Sequence, residues 1–456
     1  MSGSDYSQLS VFSLNCWGLK YVSKDRSDRI FAITNFLSQA QYDIVALQEL
    51  WVYSDYELVR TSVSKRLPHS KFFYSGALGA GLAIFTRFPI IAATIHPYSL
   101  NGSPIDVAGG DWFVGKAAAS VLISHPILGQ VQIFNTHLFA KGGEGGPEHH
   151  RAHRLVNAWE FAKLAKQSAE LGRYVIALGD FNSIPTTLPM TVIRDHAALR
   201  DAWTETHPSP PSSSSMLSPF DCIQAFGVTA DSPINSYSAG KPLDAFALAG
   251  QGKRLDYVFY RDPHVPPTGG SKSLPQLKCS NTRVMLTENV PGRSFSYSDH
   301  FGLEARFEIR HPEAQDHTLP SNPSPYTSDL PSVTSVAATS TPGPPSTHLS
   351  SDSATTVLQA LTTCYRHARV RSQQELTVFV LCVVLLVGLI IGSAWLPHAA
   401  YAPVFVFLAG LATWLGTTML YVGFVYGKWE INALMNVIEE LELYRKGMNG
   451  GLAGQS

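Results

Sequence analysis

The sequence predicts one large mixed α and β unit, residues 1–310, joined through a flexible linker to a two-helix membrane hairpin. Short apolar runs of strand length alternate with helix-patterned segments as far as Arg310. A Pro/Ser/Thr-rich stretch follows. Beyond it, the 52 residues from Leu376 to Gly427 contain no Asp, Glu, Lys or Arg.

The strand-like runs are Val11–Asn15, Asp43–Leu47, Leu82–Thr86, Ala119–Ile123, Val131–Asn135, Val175–Leu178, Leu255–Tyr260 and Leu303–Ile309. Helix patterns lie between some of them, over Asp28–Ala40, Asp55–Arg66 and Glu148–Lys166, so helices and strands share one substantial core. A Ser/Pro-rich segment, His207–Pro219, is expected to be a loop insertion. Residues 311–360 are expected to form the linker. Within Thr318–Thr356, 25 of 39 residues are Pro, Ser or Thr and none is Lys or Arg, a composition that buries too little apolar surface to fold. As a coil this segment spans roughly 35 Å, so the upstream unit can reach its own membrane.

Residues 361–446 are expected to anchor the chain, with spans at 376–396 and 404–426 separated by Pro397-His398-Ala399-Ala400. Each span has the roughly 20 residues needed to cross hydrocarbon. Trp395, Tyr401, Tyr426 and Trp429 stand at the ends, as interfacial aromatics do. Arg366, Arg369 and Arg371 precede the first span, Lys428 follows the second, and the connecting loop has no Lys or Arg. By the positive-inside rule both flanks are cytosolic. The first residues lack the basic start and apolar run of a signal peptide, so the upstream unit is expected in the cytosol, at the endoplasmic reticulum ahead of the mitochondrial outer membrane or the Golgi. The three arginines can also attract anionic lipid, at about 1 kcal/mol per charge near the surface. After the hairpin, Ile431, Leu434, Met435, Ile438 and Leu441 recur at helical spacing, an amphipathic helix suited to packing or self-association. Residues 447–456 are expected to be a flexible tail.

Composition excludes several functions. Lys and Arg total 34 against 35 Asp and Glu, and residues 1–310 carry 28 against 26, so no basic field is available for a nucleic-acid backbone. Five cysteines without a CxxC pair exclude a zinc ribbon and a disulfide scaffold.

Polar residues repeatedly stand where an apolar run stops. These are Asn15, Glu49, His137, Asp180 and Asn182, with Asp256 at a strand start and Asp299-His300 just ahead of another. Singly, each is an ordinary turn former; together they can converge at one end of a sheet. Magnesium takes one or two carboxylates plus waters and phosphate, which Glu49, Asn15 and Asp299 can supply. Phosphodiester hydrolysis also needs a base near neutral pH, a role open to His300. Asp256 suits the carboxylate that orients the imidazole, and His137 and Asn182 can donate to phosphoryl oxygens.

The motifs NCWG (Asn15–Gly18), LQE (Leu47–Glu49), NTHL (Asn135–Leu138), GDFN (Gly179–Asn182), LDYVFY (Leu255–Tyr260) and SDH (Ser298–His300) resemble the endonuclease/exonuclease/phosphatase superfamily, in order along nearly the whole upstream unit. The resemblance implies the DNase I-like fold, a four-layer α-β-β-α sandwich, and Mg²⁺ held chiefly by Glu49, with Mn²⁺ as a substitute. The segments Phe12–Ile30, Gly109–Ala117 and His153–Ala162, with the hairpin, are similar to neutral sphingomyelinases and fungal inositol phosphosphingolipid phospholipases C. This implies cleavage of a membrane sphingolipid on the ceramide side, with His300 as general base and Asp180 and Asn182 holding the attacked phosphate and water. Whether Asp180 or His300 takes the proton stays open, as does the head group. Other phosphoesterases of the superfamily, or a lipid-binding tether without activity, are the alternatives.

Gly110–Lys116 matches G-x-x-x-x-G-K, yet Ala117 replaces the Ser or Thr that a nucleotide-bound Mg²⁺ requires, and a strand-like run follows instead of a helix. No nucleotide is expected there. The resemblance implies instead that Asp111 and Lys116 form an acid–base pair governing closure and the response to an anionic phospholipid activator. His149 and His153 are one helical turn apart, but without the Glu of H-E-x-x-H they read as a solvated helix start.

Overall fold

The computed structural model describes residues 6–107, 109–208, 217–264, 274–311 and 348–453. Among these residues, twelve strands form two six-stranded sheets. The first contains β1 (Gln8–Asn15), β2 (Ile44–Gln48), β3 (His69–Phe73), β4 (Leu82–Thr86), β11 (Gln276–Met285) and β12 (Gly302–Arg310), ordered β11-β12-β1-β2-β4-β3. The second contains β5 (Ile90–Pro97), β6 (Ala117–His125), β7 (Gly129–His137), β8 (Tyr174–Asp180), β9 (Arg200–Asp201) and β10 (Asp256–Arg261), ordered β5-β6-β7-β8-β10-β9. The helices of the catalytic unit are α1 (Arg26–Gln39), α2 (Tyr53–Val63), α3 (Asp111–Val114), α4 (Glu148–Glu170), α5 (Leu188–Thr191), α6 (Ala202–Thr206), α7 (Pro219–Phe226) and α8 (Ala245–Gly250).

Val11, Ile84, Val121, Ile133, Ile176 and Phe307 meet in a core between the two sheets. A second core lies under α1 and α2, where Ile30, Ile33, Val59 and Val63 cover Leu14, Val45 and Phe85. A third lies under α4, where Leu155, Val156 and Trp159 pack with Phe134, Val175 and Phe259. The order of layers is therefore α-β-β-α, the sandwich implied by the sequence motifs. Along β2, Ile44 and Ala46 enter the inter-sheet core while Val45 and Leu47 enter the helix-covered one, the two-sided burial expected of a near-continuous apolar run.

The strands that escape a reading for apolar runs are β3, β5, β9 and β11, and these are the four edge strands of the two sheets. β5 is mostly exposed and β11 alternates buried with exposed residues such as Lys278, Ser280 and Arg283. An edge strand needs one packed face at most and gains from polar residues that discourage pairing with other chains.

The C-terminal part departs most from expectation. α9 starts at Ser351, inside the expected linker, and runs unbroken to Gly392; α10 is Ala402–Leu420, and α11 is Gly427–Ala453. The first expected span is therefore the C-terminal half of α9, and the second is α10 with the π-helical turn Tyr421–Tyr426 that leads into α11; short 3₁₀ turns at Ser393–Trp395 and Ala399–Tyr401 join the two. Ser350 caps α9 by accepting the Ser353 N–H, which is why the helix begins in a Ser/Thr-rich segment. Residues 318–347 of the Pro/Ser/Thr stretch, and 209–216 of the expected loop insertion, lie outside the described residues. α11 continues through Gly450 and Gly451, where a tail was expected; Gly weakens a helix by about 1 kcal/mol without forbidding it.

Above the spans, α9 and α11 lie against α4. Val357, Leu361, Leu434, Val437, Ile438 and Leu441 join the α4 core, Trp159 Nε1 donates to Glu440 at 2.8 Å, and Lys163 meets the same carboxylate at 2.5 Å. Of the two roles expected for the amphipathic face of α11, packing is the one seen, with Leu434, Val437, Ile438 and Leu441 buried within the chain. The expectation for α4 is corrected by the same packing: His153 is buried, as are most residues from Ala152 to Ala162.

Candidate active site

Sheet topology explains why the strand-end residues meet. β1/β2 and β7/β8 are the parallel pairs, one in each sheet. Asn15 therefore ends beside Gln48-Glu49, and His137 beside Asp180. β10 and β12 run antiparallel to β8 and β1, pairing Asp256 with Asp180 and Leu303 with Ser13, so each starts where its neighbour finishes. All of these residues gather at one end of the sandwich.

Beneath them a buried polar row ties the sheets together. Gln48 Nε2 donates to Asn135 Oδ1 at 2.7 Å and Ser13 Oγ at 3.1 Å, and Asn135 Nδ2 donates to the carbonyls of Leu47 and Ala83. Neither amide was singled out from sequence, although both lie in the LQE and NTHL motifs. Arg29, also missed, is buried under the NCWG turn and donates to the carbonyls of Cys16, Trp17 and Lys24. Trp17, Glu49 and Asn182 have φ of 46°, 53° and 47°, a left-handed conformation that costs a non-glycine residue about 1–3 kcal/mol and clusters at functional sites. A Cβ on Gly18 would stand 2.5 Å from the Glu49 carbonyl, so glycine is required for the NCWG turn to lie on the Glu49 backbone.

At the centre, His300 Nδ1 is 2.8 Å from Asp256 Oδ2, and its Nε2 is 3.8 Å from Asp180 Oδ2. Burial alone would depress the imidazole pKa, but the Asp256 and Asp180 carboxylates and the Asp256 hydrogen bond raise it well above its usual value. Both Asp180 oxygens are engaged, Oδ1 by the Asn182 N–H at 2.9 Å and Oδ2 by Asn15 Nδ2 at 3.0 Å. Asn182 also donates its side-chain amide to the Leu138 carbonyl.

The Asn15 Oδ1 accepts the Trp17 N–H at 3.0 Å, leaving its NH₂ to donate to Glu49 Oε1 and Asp180 Oδ2. The oxygen keeps a second lone pair, and the amide holds two carboxylates in place. Asp299 is pushed up to about 6 by burial and the Glu49 charge, and Asp180 to about 6 by burial and Asp256. Such crowded negative charge fits a divalent cation at Glu49 and Asp299, with Glu49 still one-fifth exposed for ligand exchange.

At His137, Lys116 Nζ donates to Nε2 at 3.0 Å, so that nitrogen accepts and the proton sits on Nδ1, which has no hydrogen-bond partner among the described residues and remains the ring's donor. The ammonium, only 2 % exposed, also meets Asp111 Oδ1 and the Leu138 carbonyl, each at 3.0 Å, which satisfies its three donors. Burial and the Lys116 and His300 cations hold the His137 pKa well below normal, consistent with a neutral acceptor.

Arg366, Arg369 and Arg371 are distant from this centre. Arg366 and Arg369 are exposed on α9. Arg371 is corrected as a lipid contact: it is bound to Glu430 and lies 3.7 Å from Glu375.

Among the described residues, two groups have metal-like donor sets. Asp180, Asp256 and His300 form the first, but His300 Nδ1 is already used on Asp256. His153, Cys364 and Glu430 form the second. There, His153 Nδ1 accepts the Gly102 N–H at 3.0 Å, so its proton must reside on Nε2, which points at Glu430 Oε1 at 3.0 Å. A nitrogen that carries its proton cannot ligate a metal, and this group is a hydrogen-bonded junction.

Comparison with known proteins agrees with the fold. Residues 12–300 match the Endonuclease/Exonuclease/phosphatase family. The chain is 33% identical over 450 residues to an inositol phosphosphingolipids phospholipase C of Schizosaccharomyces pombe, covering 97% of this chain and 95% of that protein. It is 31% identical over 310 residues to human sphingomyelin phosphodiesterase 2, covering 68% and 67%. With a two-sheet sandwich, strand-end residues gathered at one end, and a relative similar along almost its whole length, the chain belongs to the endonuclease/exonuclease/phosphatase family, in the branch of neutral sphingomyelinases and inositol phosphosphingolipid phospholipases C.

Proposed function

We propose that this protein is a membrane-anchored, cytosol-facing, Mg²⁺-dependent phospholipase C that cleaves sphingolipids to ceramide and a phosphorylated head group. The observation that carries it is the oriented His300–Asp256 pair beside a crowded set of carboxylates, in a chain of this branch that also has a two-helix apolar hairpin. Glu49 and Asp299 would hold a Mg²⁺, which supplies stabilisation of negative charge on the phosphoryl and leaving oxygens. A cation bound there would offset the carboxylate charge that raises the His300 pKa, so that His300 in its neutral form takes the proton of the attacking water and Asp256 stabilises the imidazolium that forms. Asp180 is the weaker candidate for the base, because both of its oxygens already accept hydrogen bonds; it orients the water with Asn182. The water oxygen bonds to phosphorus as the bond from phosphorus to the ceramide oxygen breaks, and that oxygen takes a proton from solvent to leave as the ceramide hydroxyl while the imidazolium returns its proton to solvent.

Lys116 ties Asp111 to His137, so a shift of the loop around Asp111 is felt at the catalytic end; this pair is the proposed seat of the response to anionic phospholipid, with Arg366 and Arg369 attracting that lipid from α9. The positive flanks of the hairpin favour a cytosolic catalytic unit. The test is hydrolysis of sphingomyelin, inositol phosphoceramide and lysophospholipid in mixed micelles, with and without Mg²⁺. Ceramide release from either sphingolipid that EDTA abolishes is the expected result; hydrolysis of lysophospholipid alone would move the protein to a different substrate class.

A further inference from the structure

The loop that leaves Gly102 is fixed at its root to the end of the second hydrophobic helix. The Tyr426 hydroxyl donates to the Gly102 carbonyl, and Trp429 Nε1 donates to the Ser99 carbonyl at 2.9 Å. Tyr426 lies two residues before Lys428, the first charge after the uncharged stretch. If the hairpin spans a bilayer, Gly102 therefore stands where hydrocarbon gives way to water.

Ile105 follows Gly102 by three residues, at most about 10 Å of chain. The interfacial layer is itself roughly 5–7 Å deep on each side of the hydrocarbon. Ile105 is 52% exposed and Val107 is 70% exposed. Between them Asp106 turns back to an ion pair with Lys141, which removes its charge from the loop tip. The result is two outward aliphatic side chains with a neutralised acid between them, beside the end of a membrane span.

We propose that the loop from Gly102 to Val107 is a wedge that inserts Ile105 and Val107 into the bilayer holding the hairpin. The inference rests on the proposed membrane anchoring. A lipid surface is its occupant because the loop root is continuous with the helix that would enter that surface. The far end of the same loop carries Asp111, so the wedge joins the membrane to the Lys116–His137 contact.

Full-length protein in phosphatidylcholine vesicles tests this. The five native cysteines are buried, so Ile105→Cys can be labelled selectively with an environment-sensitive fluorophore and challenged with nitroxide-bearing lipid. Leu171→Cys is the dry-side control. Glu430 lies beside His153 and Glu440 beside Trp159 and Lys163, so α4 runs with α11 away from the membrane and places Leu171 about 27 Å beyond His153. Phe407→Cys, on α10, reports the hairpin itself. Quenching at Ile105 and Phe407 but not Leu171 is expected. Quenching at Phe407 alone would overturn the wedge and leave the anchor standing, whereas no quenching at Phe407 would overturn both.

As a second measure, Ile105→Asp combined with Val107→Asp should lower hydrolysis of vesicle substrate about tenfold, a factor in keeping with lost burial of two half-exposed aliphatic groups. Turnover of a short-chain, monomeric substrate should be unchanged. An equal loss on both substrates would overturn the proposal.

Discussion

Cutting the chain after Arg310 should not release a well-behaved catalytic unit, although a simple tether would predict that it does. The cut removes Leu349, Val357, Leu358, Leu361, Leu434, Val437, Ile438 and Leu441, all buried in the core that includes Leu155, Val156 and Trp159 of α4. At about 1.5–3 kcal/mol per large aliphatic side chain, these eight account for roughly 12–24 kcal/mol of gross burial. Part of that sum is offset by the entropy of ordering α9 and α11. What remains on the truncated protein is an apolar strip along α4, the kind of patch that drives association. Glu440 and Glu430 also depart, removing the hydrogen-bond partners of Trp159 Nε1, Lys163 Nζ and His153 Nε2. The assay is hydrogen exchange along Glu148–Glu170 in full-length and truncated protein, with light scattering for aggregation. Loss of protection in α4, with oligomers or dye-binding apolar surface, is expected. A monomeric truncated protein with full-length protection in α4 would refute the claim that these helices complete the catalytic unit.

Glu49→Gln should reduce turnover by more than the roughly 100-fold that loss of an outer-shell partner costs a metal site, and calorimetry should show weakened Mg²⁺ and Mn²⁺ binding; unchanged calorimetry would place the ion elsewhere. His300→Ala and Asp256→Asn should each cost roughly 10²–10⁴-fold, with the double variant little worse than His300→Ala alone, because the two act as one unit; multiplying losses would contradict the pair. Lys116→Met should destabilise by about 3–5 kcal/mol, since it leaves Asp111 buried without its cation, and adding Asp111→Asn should restore much of the stability without restoring activity. Independent, additive losses in a thermal melt would count against the pair. Burial holds His125 down at about 4, against about 6.5 unfolded, so only the unfolded chain gains that proton between these values and stability falls as pH drops through the window, by up to about 3 kcal/mol. Urea unfolding of His125→Asn should lose that part of the acid-side slope while keeping an acceptor for the Ile127 and Leu128 N–H groups; identical slopes would exclude His125 as its source.

The interior strands and the site motifs were legible in sequence for one reason. A strand packed on both faces must be apolar along its length, so a polar residue at its end stands out, as Glu49 does after Ile44–Gln48 and Asp180 does at the close of Tyr174–Asp180. Edge strands leave no such contrast, since β5 and β11 are half solvent-facing. Arg29, Gln48 and Asn135 were missed because their work is done on backbone carbonyls and side chains up to 268 residues away in sequence. No local pattern encodes such partners.

By itself the sequence determined the mixed α and β class, the apolar hairpin, the inner strands and the list of polar residues at their ends, because each follows from local periodicity or composition. Only the tertiary structure decided which atoms those residues spend on one another. It placed the Asn15 amide between Glu49 and Asp180, made His137 an acceptor for Lys116, and withdrew Arg371 into an ion pair with Glu430. It also turned His153 from solvent to core and set the face of α11 against α4. A side chain's chemical type is local, but its partners are set by the crossing of strands and helices far apart in the chain, and a hydrogen-bonding group committed to one partner is no longer available to another.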